Sequence, residues 1–369
     1  MPTVKKEAPK LWKDYVNRES VSKFASDLSK VYKGFDRMNF IDSVCTKEFF
    51  DLELKDRLNE VSRQLKPFLP GSYKKAIALL IKAAPKVNGF YNWSMTAFIE
   101  HYGLDQFDIS VNALKELTKY GSSEFALRPF MINHTDKMMK VLNKWVKDPN
   151  EHIRRLAAEG SRPRGVWVAH IEAFKKDPRP VLKLLEHLKA DESLYVRKAV
   201  ANNLNDIAKD HPDLVIKTAI QWLKDKNPNT DWIIKHACRT LIKKGDPLVF
   251  PLFGFTTSPK VQLKRLSLSD KTIKIGSTVT VDFEIQSMSD KSQKLAVDYK
   301  LYFIKKSGKA APKTFKLSEK SIKSNEIIPF SINYNFTDLS TRKHSPGLHK
   351  IEIIINGQSY KVVTFEVTN

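Results

Sequence analysis

Cysteine is almost missing from this 369-residue chain: Cys45 and Cys238 are the two, and neither stands in a CxxC or Cys/His spacing. A disulfide framework and a zinc site therefore find no support, and a reducing cytoplasm fits. Glycine is scarce, at 13 residues. No Walker-type GxxxxGK, GxGxxG, HExxH or GxSxG occurs, so NTP hydrolysis, hydride transfer and zinc hydrolysis lack their usual parts. The 9 histidines are scattered without ligand spacing, and no metal or cofactor is expected. Long apolar runs are missing as well. "AIALLI" from Ala76 is far too short to span a bilayer, so no membrane partner is expected. The opening "MPTVKKEAPK" has basic residues but no apolar segment of a secretory signal.

Acidic residues are outnumbered, 41 Asp+Glu against 63 Lys+Arg, a net charge of +22. From Pro259 onward the balance is 19 basic to 10 acidic, and upstream it is 44 to 31. Both parts are basic, which favours nucleic acid over an anionic membrane surface; a merely Lys-rich solubilised surface is the bland alternative. With 41% hydrophobic and 28% charged residues the chain reads as a soluble globular protein.

The first two thirds carry helical periodicity, as in "LKDRLNEVSRQLKPFL" and "DISVNALKELTKY", with apolar residues at spacings of three and four. From Met138 a weak repeat appears, each unit a helix, an Asp/Asn/Pro turn and a second helix. Ile153, Val196 and Ile234 align, as do Leu156, Ala199 and Ala237, at offsets of 43 and 38 residues. Such spacing fits HEAT-type helical pairs that stack into a solenoid. Directly after each apolar anchor comes a basic pair: Arg154 and Arg155, Arg197 and Lys198, Lys235 and His236. Repeated in register, these predict a stripe for phosphates, or simply the charged solvent side of each second helix. After the Gly/Pro-rich "GDPLVFPLFGFTTSPK" the period changes to two. Six or seven strands in about 110 residues predict an immunoglobulin-like β-sandwich. The fold expected is mainly α, a HEAT-like α-solenoid over 1–250 followed by a small all-β sandwich over 259–369.

Three stretches could carry chemistry. In "GSSEFALRPF", Ser122 or Ser123 can cap a helix with Glu124 in its first turn; Arg128, four residues on, is placed to pair with it. In "YVRKAVANNLNDIAKD", Val196, Ala199, Val200, Leu204 and Ile207 form the buried face, with Lys198, Asn202 and Asp206 on a ridge beside it. Asn203 points almost into that face, either as part of a site or as an inter-repeat hydrogen-bond ladder. In "RRLAAEGSRPRGVW", Gly160 is expected to end the helix in the left-handed conformation, and Pro163 keeps Arg162 out of the helical region. The turn flanked by Arg162 and Arg164 leads to Trp167, a core residue or an exposed ring face.

Taken in order and followed by "WIIKHACRTLIKKGDP", these motifs resemble the AlkC branch of the AlkD-like DNA alkylation-repair glycosylases, over roughly Phe35 to Pro247. The resemblance implies hydrolysis of the N-glycosidic bond of cationic alkylated bases, 3-methyladenine and 3-methylcytosine, in duplex DNA without base flipping. By motif, Glu124 and Asp206 would be the carboxylates stabilising an oxocarbenium-like transition state and Trp167 the aromatic wall, with Glu159 a further carboxylate. Arg155, Arg162 and Arg164 would grip phosphates, and Arg197, Lys235 and Arg239 would extend that track, joining Arg154 and Lys198 of the repeated pairs. Family members place Leu-Pro before the tryptophan where this chain has Gly165 and Val166, which leaves the ring's placement open. A monomer is expected, cytoplasmic and on the nucleoid when bound to DNA. A non-catalytic HEAT scaffold binding DNA or an acidic protein is the competing expectation.

Overall fold

The computed structural model describes residues 10–87, 89–339 and 342–369. Residues 1–9, most of the stretch whose lack of an apolar segment argues against a secretory signal, lie outside them. The chain forms two compact units, Met1–Asp210 with Lys226–Ile233, and His211–Asp225 with Ile234–Asn369. Among the described residues no helix is long and apolar enough to cross a membrane.

Among its described residues the first unit has helices and no strand. It contains α1 (Arg18–Val31), α2 (Arg37–Val44), α3 (Lys47–Asp51), α4 (Leu54–Leu65), α5 (Tyr73–Ala83), α6 (Tyr91–Tyr102) and α7 (Phe107–Leu117). There follow α8 (Glu124–Asn133), α9 (Thr135–Trp145), α10 (Glu151–Gly160), α11 (Glu172–Lys176), α12 (Arg179–Glu186) and α13 (Leu194–Ile207). The repeat expected from Met138 is present as the pairs α9–α10 and α12–α13. The second helices start alike: the Asn150 side chain accepts from the His152 N–H, and Ser193 caps α13 through the Val196 N–H, satisfying donors that a helix start leaves open.

Helices α10 and α13 pack side by side. The aligned anchors Ile153, Leu156, Val196 and Ala199 are all at most 2% exposed, and so are Val200, Leu204 and Ile207. Asn203 settles into the seam as a ladder rung. Its side-chain amide donates to the Ala158 carbonyl (2.8 Å) and to Ser161 Oγ (3.0 Å). Gly160 departs from expectation. It is the last residue of α10, and the next residue, Ser161, has φ −85°, so no left-handed glycine closes the helix. Its role is steric: a Cβ there would stand 2.5 Å from Leu127 Cδ2 of α8.

In the second unit α14 (Pro212–Leu223), α16 (Arg239–Lys244) and the carboxy-terminal end of α15 (Pro228–Ala237) group with a β-sandwich. One sheet has the order β1 (Val261–Leu268), β3 (Thr278–Ser287), β6 (Ile327–Asn335). The other runs β2 (Thr272–Lys274), β8 (Gln358–Thr368), β7 (Gly347–Ile355), β4 (Gln293–Ile304), β5 (Ala310–Ile322). Their inner faces share one core, with Val281 and Phe283 of β3 against Val297 and Leu301 of β4, Ile353 of β7 and Phe365 of β8. Gly245, at φ +77°, ends α16, and a Cβ on it would lie 2.6 Å from the Gly357 carbonyl in the β7–β8 turn. Both chains meet there through bare backbone, and Phe250 beside them is 1% exposed.

Of the eight strands among the described residues, β2 and β5 are not legible as alternating runs. β2 is three residues long. β5 lies at a sheet edge, and its lysines at 313, 316 and 320 are of the kind that discourages edge-to-edge pairing while blurring the period.

Replacing Asn203 by alanine removes both rungs and leaves the Ala158 carbonyl without this donor. The expected loss is about 1–3 kcal/mol of stability, read as a lowered urea midpoint in far-UV circular dichroism with unchanged m-value.

Candidate functional site

A chain of alternating charges runs across the ends of α8, α10 and α13. Glu124 is the first residue of α8, where the helix dipole favours a carboxylate. Ser123 does not cap the helix; its hydroxyl goes to the Leu114 carbonyl, while Ser122 Oγ donates to Glu124 Oε2 at 3.0 Å. Arg155 meets the same Oε2 at 2.5 Å and reaches Glu159 at 3.6 Å. Glu159 in turn pairs with Arg162. Arg162 Nε and Nη2 both meet Asp206 Oδ2 at 2.7 Å, and Lys209 closes the series on Asp206 Oδ1 at 2.7 Å. The Tyr195 ring lies over the Arg155 guanidinium, 5.0 Å away.

These groups sit at different depths. The Glu124 side chain is 22% exposed and has one oxygen without a protein partner among the described residues, whereas Asp206 is 4% exposed with both oxygens held. Burial works hardest against the Arg162 charge, yet Glu159 and Asp206 together outweigh it and hold the guanidinium pKa above the ordinary arginine value.

Arg128 takes a different part from the pairing with Glu124 that its spacing suggests. It is buried, and it donates from Nε to the Ala169 carbonyl (2.7 Å) and from Nη1 to the carbonyls of Arg162 (2.7 Å) and Gly160 (3.2 Å). It therefore pins both ends of the loop between α10 and α11. With no carboxylate in direct contact, burial pushes its pKa down to about 10, assisted by the nearby Arg162 charge. Gly165 lies against it: a Cβ there would be 2.3 Å from Val168 Cγ2 and 3.0 Å from Arg128 Nη2. The glycine is needed for this close approach and not for a positive φ.

The positive φ falls instead on Trp167, at +61°, a conformation costing a residue with a Cβ about 1–2 kcal/mol. Trp167 is 63% exposed, as the exposed-face alternative has it. Beside it opens a cleft of about 450 Å³ lined by Lys55, Glu100, Phe125, Arg128, Gly165 and Val168 among others. Phe125, Arg128, Gly165 and Val168 also floor a recess of about 10 Å³ next to Glu124 and Glu159. Glu124 and Trp167 thus share a floor, and the Arg155–Glu159–Arg162 bridge connects it to Asp206. Lys55 and Glu100, from α4 and α6, carry no motif, and nothing in their spacing points to this cleft. Burial raises the Glu100 carboxyl above the ordinary range, against the lowering effect of Lys55.

Several of the repeated basic positions have partners within the protein. Arg154 makes a two-point ion pair with Asp191 and donates to the carbonyls of Asp148 and Pro149. Arg197 repeats the gesture one unit on, donating to the carbonyls of Asp191 and Glu192, with Trp232 against its guanidinium. In both units the first basic residue clamps the turn five and six residues behind it. Arg164 pairs with Asp210, and Lys198 is exposed. In the second unit Lys235 meets Glu319 of β5 at 3.1 Å and Arg239 donates to the His236 carbonyl.

Arg162→Met would strand Glu159 and Asp206 as poorly compensated buried carboxylates. The expected cost is about 3–5 kcal/mol in denaturant unfolding, part of it recovered when Asp206→Leu is added. For Glu100 the folded pKa is raised, so its ionised form opposes folding above that pKa and the penalty vanishes below the unfolded value. Glu100→Gln is accordingly expected to raise the Tm at pH 8, with the gain shrinking toward zero near about pH 4.

Two family models cover these features. One described as "DNA alkylation repair enzyme" matches residues 120–241, and one described as "Uncharacterised protein YhaZ, C-terminal Ig-like domain" matches 262–369. The "Uncharacterized protein YhaZ" of Bacillus subtilis (strain 168) is 42% identical over 355 residues, 96% of this chain and 99% of its own length. The structure of Pseudomonas fluorescens alkylpurine DNA glycosylase AlkC, bound to DNA containing an abasic site analog, matches with a TM-score of 0.92. That match has 36% identity and covers 97% of this chain and 99% of that one. The chain therefore belongs to the AlkC-type DNA alkylation-repair family, its helical repair region followed by a YhaZ-type immunoglobulin-like domain.

Proposed function

We propose that this protein is a monofunctional DNA glycosylase that hydrolyses the N-glycosidic bond of cationic alkylated bases, 3-methyladenine and 3-methylcytosine, in duplex DNA. The observation that carries the proposal is the shared floor beneath Glu124 and Trp167, in a chain similar over nearly its whole length to an alkylpurine glycosylase bound to abasic-site DNA.

A methylated base that carries positive charge leaves as a neutral molecule with the bonding electron pair. The cost falls on C1′, where oxocarbenium charge develops as the bond lengthens. Glu124, partly exposed and with one oxygen uncommitted, is the carboxylate suited to face that charge, while Ser122 and Arg155 fix its orientation. Water adds to C1′ and gives up a proton to solvent, completing the sugar hydroxyl. The recess beside Glu124, about 10 Å³, is of the size that a single water needs. The exposed Trp167 face offers cation–π attraction to the charged lesion.

Asp206, the second carboxylate implied by the motif, serves from behind. Buried and held on both oxygens, it anchors Arg162, which steadies Glu159 and through it Arg155. Phosphate contact falls to the exposed Lys198 and the partly exposed Arg164. The enzyme acts without cofactor or metal, as a monomer on nucleoid DNA in the cytoplasm.

Methylated duplex DNA incubated with the protein is expected to release 3-methyladenine above the uncatalysed rate, and no release would overturn the proposal. Glu124→Gln is expected to slow single-turnover excision by about a hundredfold or more, with duplex affinity nearly unchanged. DNA binding that persists with a steep salt slope, but with no excision by the native chain, would favour the scaffold alternative.

A further inference from the structure

The placement of Trp167 depends on a residue 112 positions away in the sequence. Lys55 Nζ, on the first turn of α4, donates to the Trp167 main-chain carbonyl at 2.7 Å. Among the described residues this is the hydrogen bond that the segment from Gly165 to Val168 receives from outside itself. Arg128 holds the loop on either side, at Arg162 and Ala169, and Ile171 N–H closes it onto the Pro163 carbonyl at 3.0 Å. Neither contact fixes the peptide of Trp167, whose φ of +61° places it in a backbone region that a side chain disfavours.

Lys55 is itself held. Its ammonium lies over the Phe125 ring, 5.4 Å from the centroid, and it acts electrostatically on Glu100 across the cleft. One cation thus joins the strained carbonyl, the aromatic floor and the half-buried carboxyl of the cleft.

We propose that Lys55 is a positioning residue for the reaction. It latches the Trp167 carbonyl, so that the ring is presented to the lesion instead of relaxing with its loop. The inference rests on the glycosylase reading above. It goes beyond that reading in assigning catalytic placement to α4, outside every motif that the family model and the site residues occupy. A backbone carbonyl accepts equally from ammonium or guanidinium, so the role belongs to the donor and not to lysine as such.

The test compares native protein, Lys55→Met and Lys55→Arg on methylated duplex DNA under single-turnover conditions. Lys55→Met keeps most of the apolar stem and removes the donor. The expected result is excision slowed about tenfold or more, a duplex Kd changed by less than about threefold, a native far-UV circular dichroism spectrum, and recovery of most of the rate in Lys55→Arg. An unchanged rate in Lys55→Met overturns the proposal. So does a weakened Kd that accounts for the whole loss, since Lys55 would then be a phosphate contact.

A second readout is independent of activity. The fluorescence difference between each protein and its Trp167→Phe counterpart isolates this ring from the other five tryptophans, and acrylamide quenching reports its surroundings. Quenching of Trp167 is expected to change in Lys55→Met and to return in Lys55→Arg. If the native protein releases no base, the glycosylase reading fails by itself, and unaltered Trp167 quenching in Lys55→Met then overturns the latch as well.

Discussion

Charge pairing in a partly dry seam is the constraint on which the helical unit depends. Arginine and carboxylate side chains meet between α8, α10 and α13 at depths where an unpaired charge costs several kcal/mol. All but Arg128, which is held by backbone carbonyls, find an opposite partner there, and the resulting alternation fixes the three helix ends relative to one another. Arg162 is the centre of this arrangement. Its two carboxylates come from different helices, and its own carbonyl is tied down by Arg128. A loop that leaves α10 in such company has little freedom over its first turns. That restraint lets the segment beyond it hold a tryptophan in an unfavourable backbone conformation.

The same constraint explains why a basic sequence yields fewer accessible cations than its arginine count suggests. Arg154, Arg155, Arg162 and Arg197 are all half-buried or deeper, and each works on a carboxylate, a carbonyl or a ring. Arginine suits such duty because its planar fork serves several acceptors at once.

Much of the fold was legible in the sequence. Periodicity located the helical pairs, because each second helix buries one face against its neighbour, and alternation located six strands whose inner faces fill the sandwich. What escaped did so for physical reasons. Gly160 looked like a helix stop because glycine tolerates the left-handed region, but the requirement on it is close packing against Leu127. β5 escaped because the lysines of this edge strand blur its alternation. At the site, motif order singled out Glu124, Asp206 and Trp167 as candidates. Spacing could not reveal that Asp206 would be covered, or that Arg128 would turn from Glu124 to backbone carbonyls. Lys55 and Glu100 were invisible, since nothing local in α4 or α6 depends on the cleft they line.

The Gly/Pro-rich stretch before β1 invites division of the chain by composition, yet the packing follows another line. Gly245 and Gly357 touch backbone to backbone, an approach that no other residue pair permits, and Val249 and Phe250 are buried beside them. A fragment ended at residue 250 would carry that raw contact surface into solvent, and a sandwich begun at residue 259 would lose the helix end that covers its β7–β8 turn. The two glycines make α16 part of the sandwich's architecture, so any attempt to graft, shorten or exchange this immunoglobulin-like module has to take the preceding helix with it.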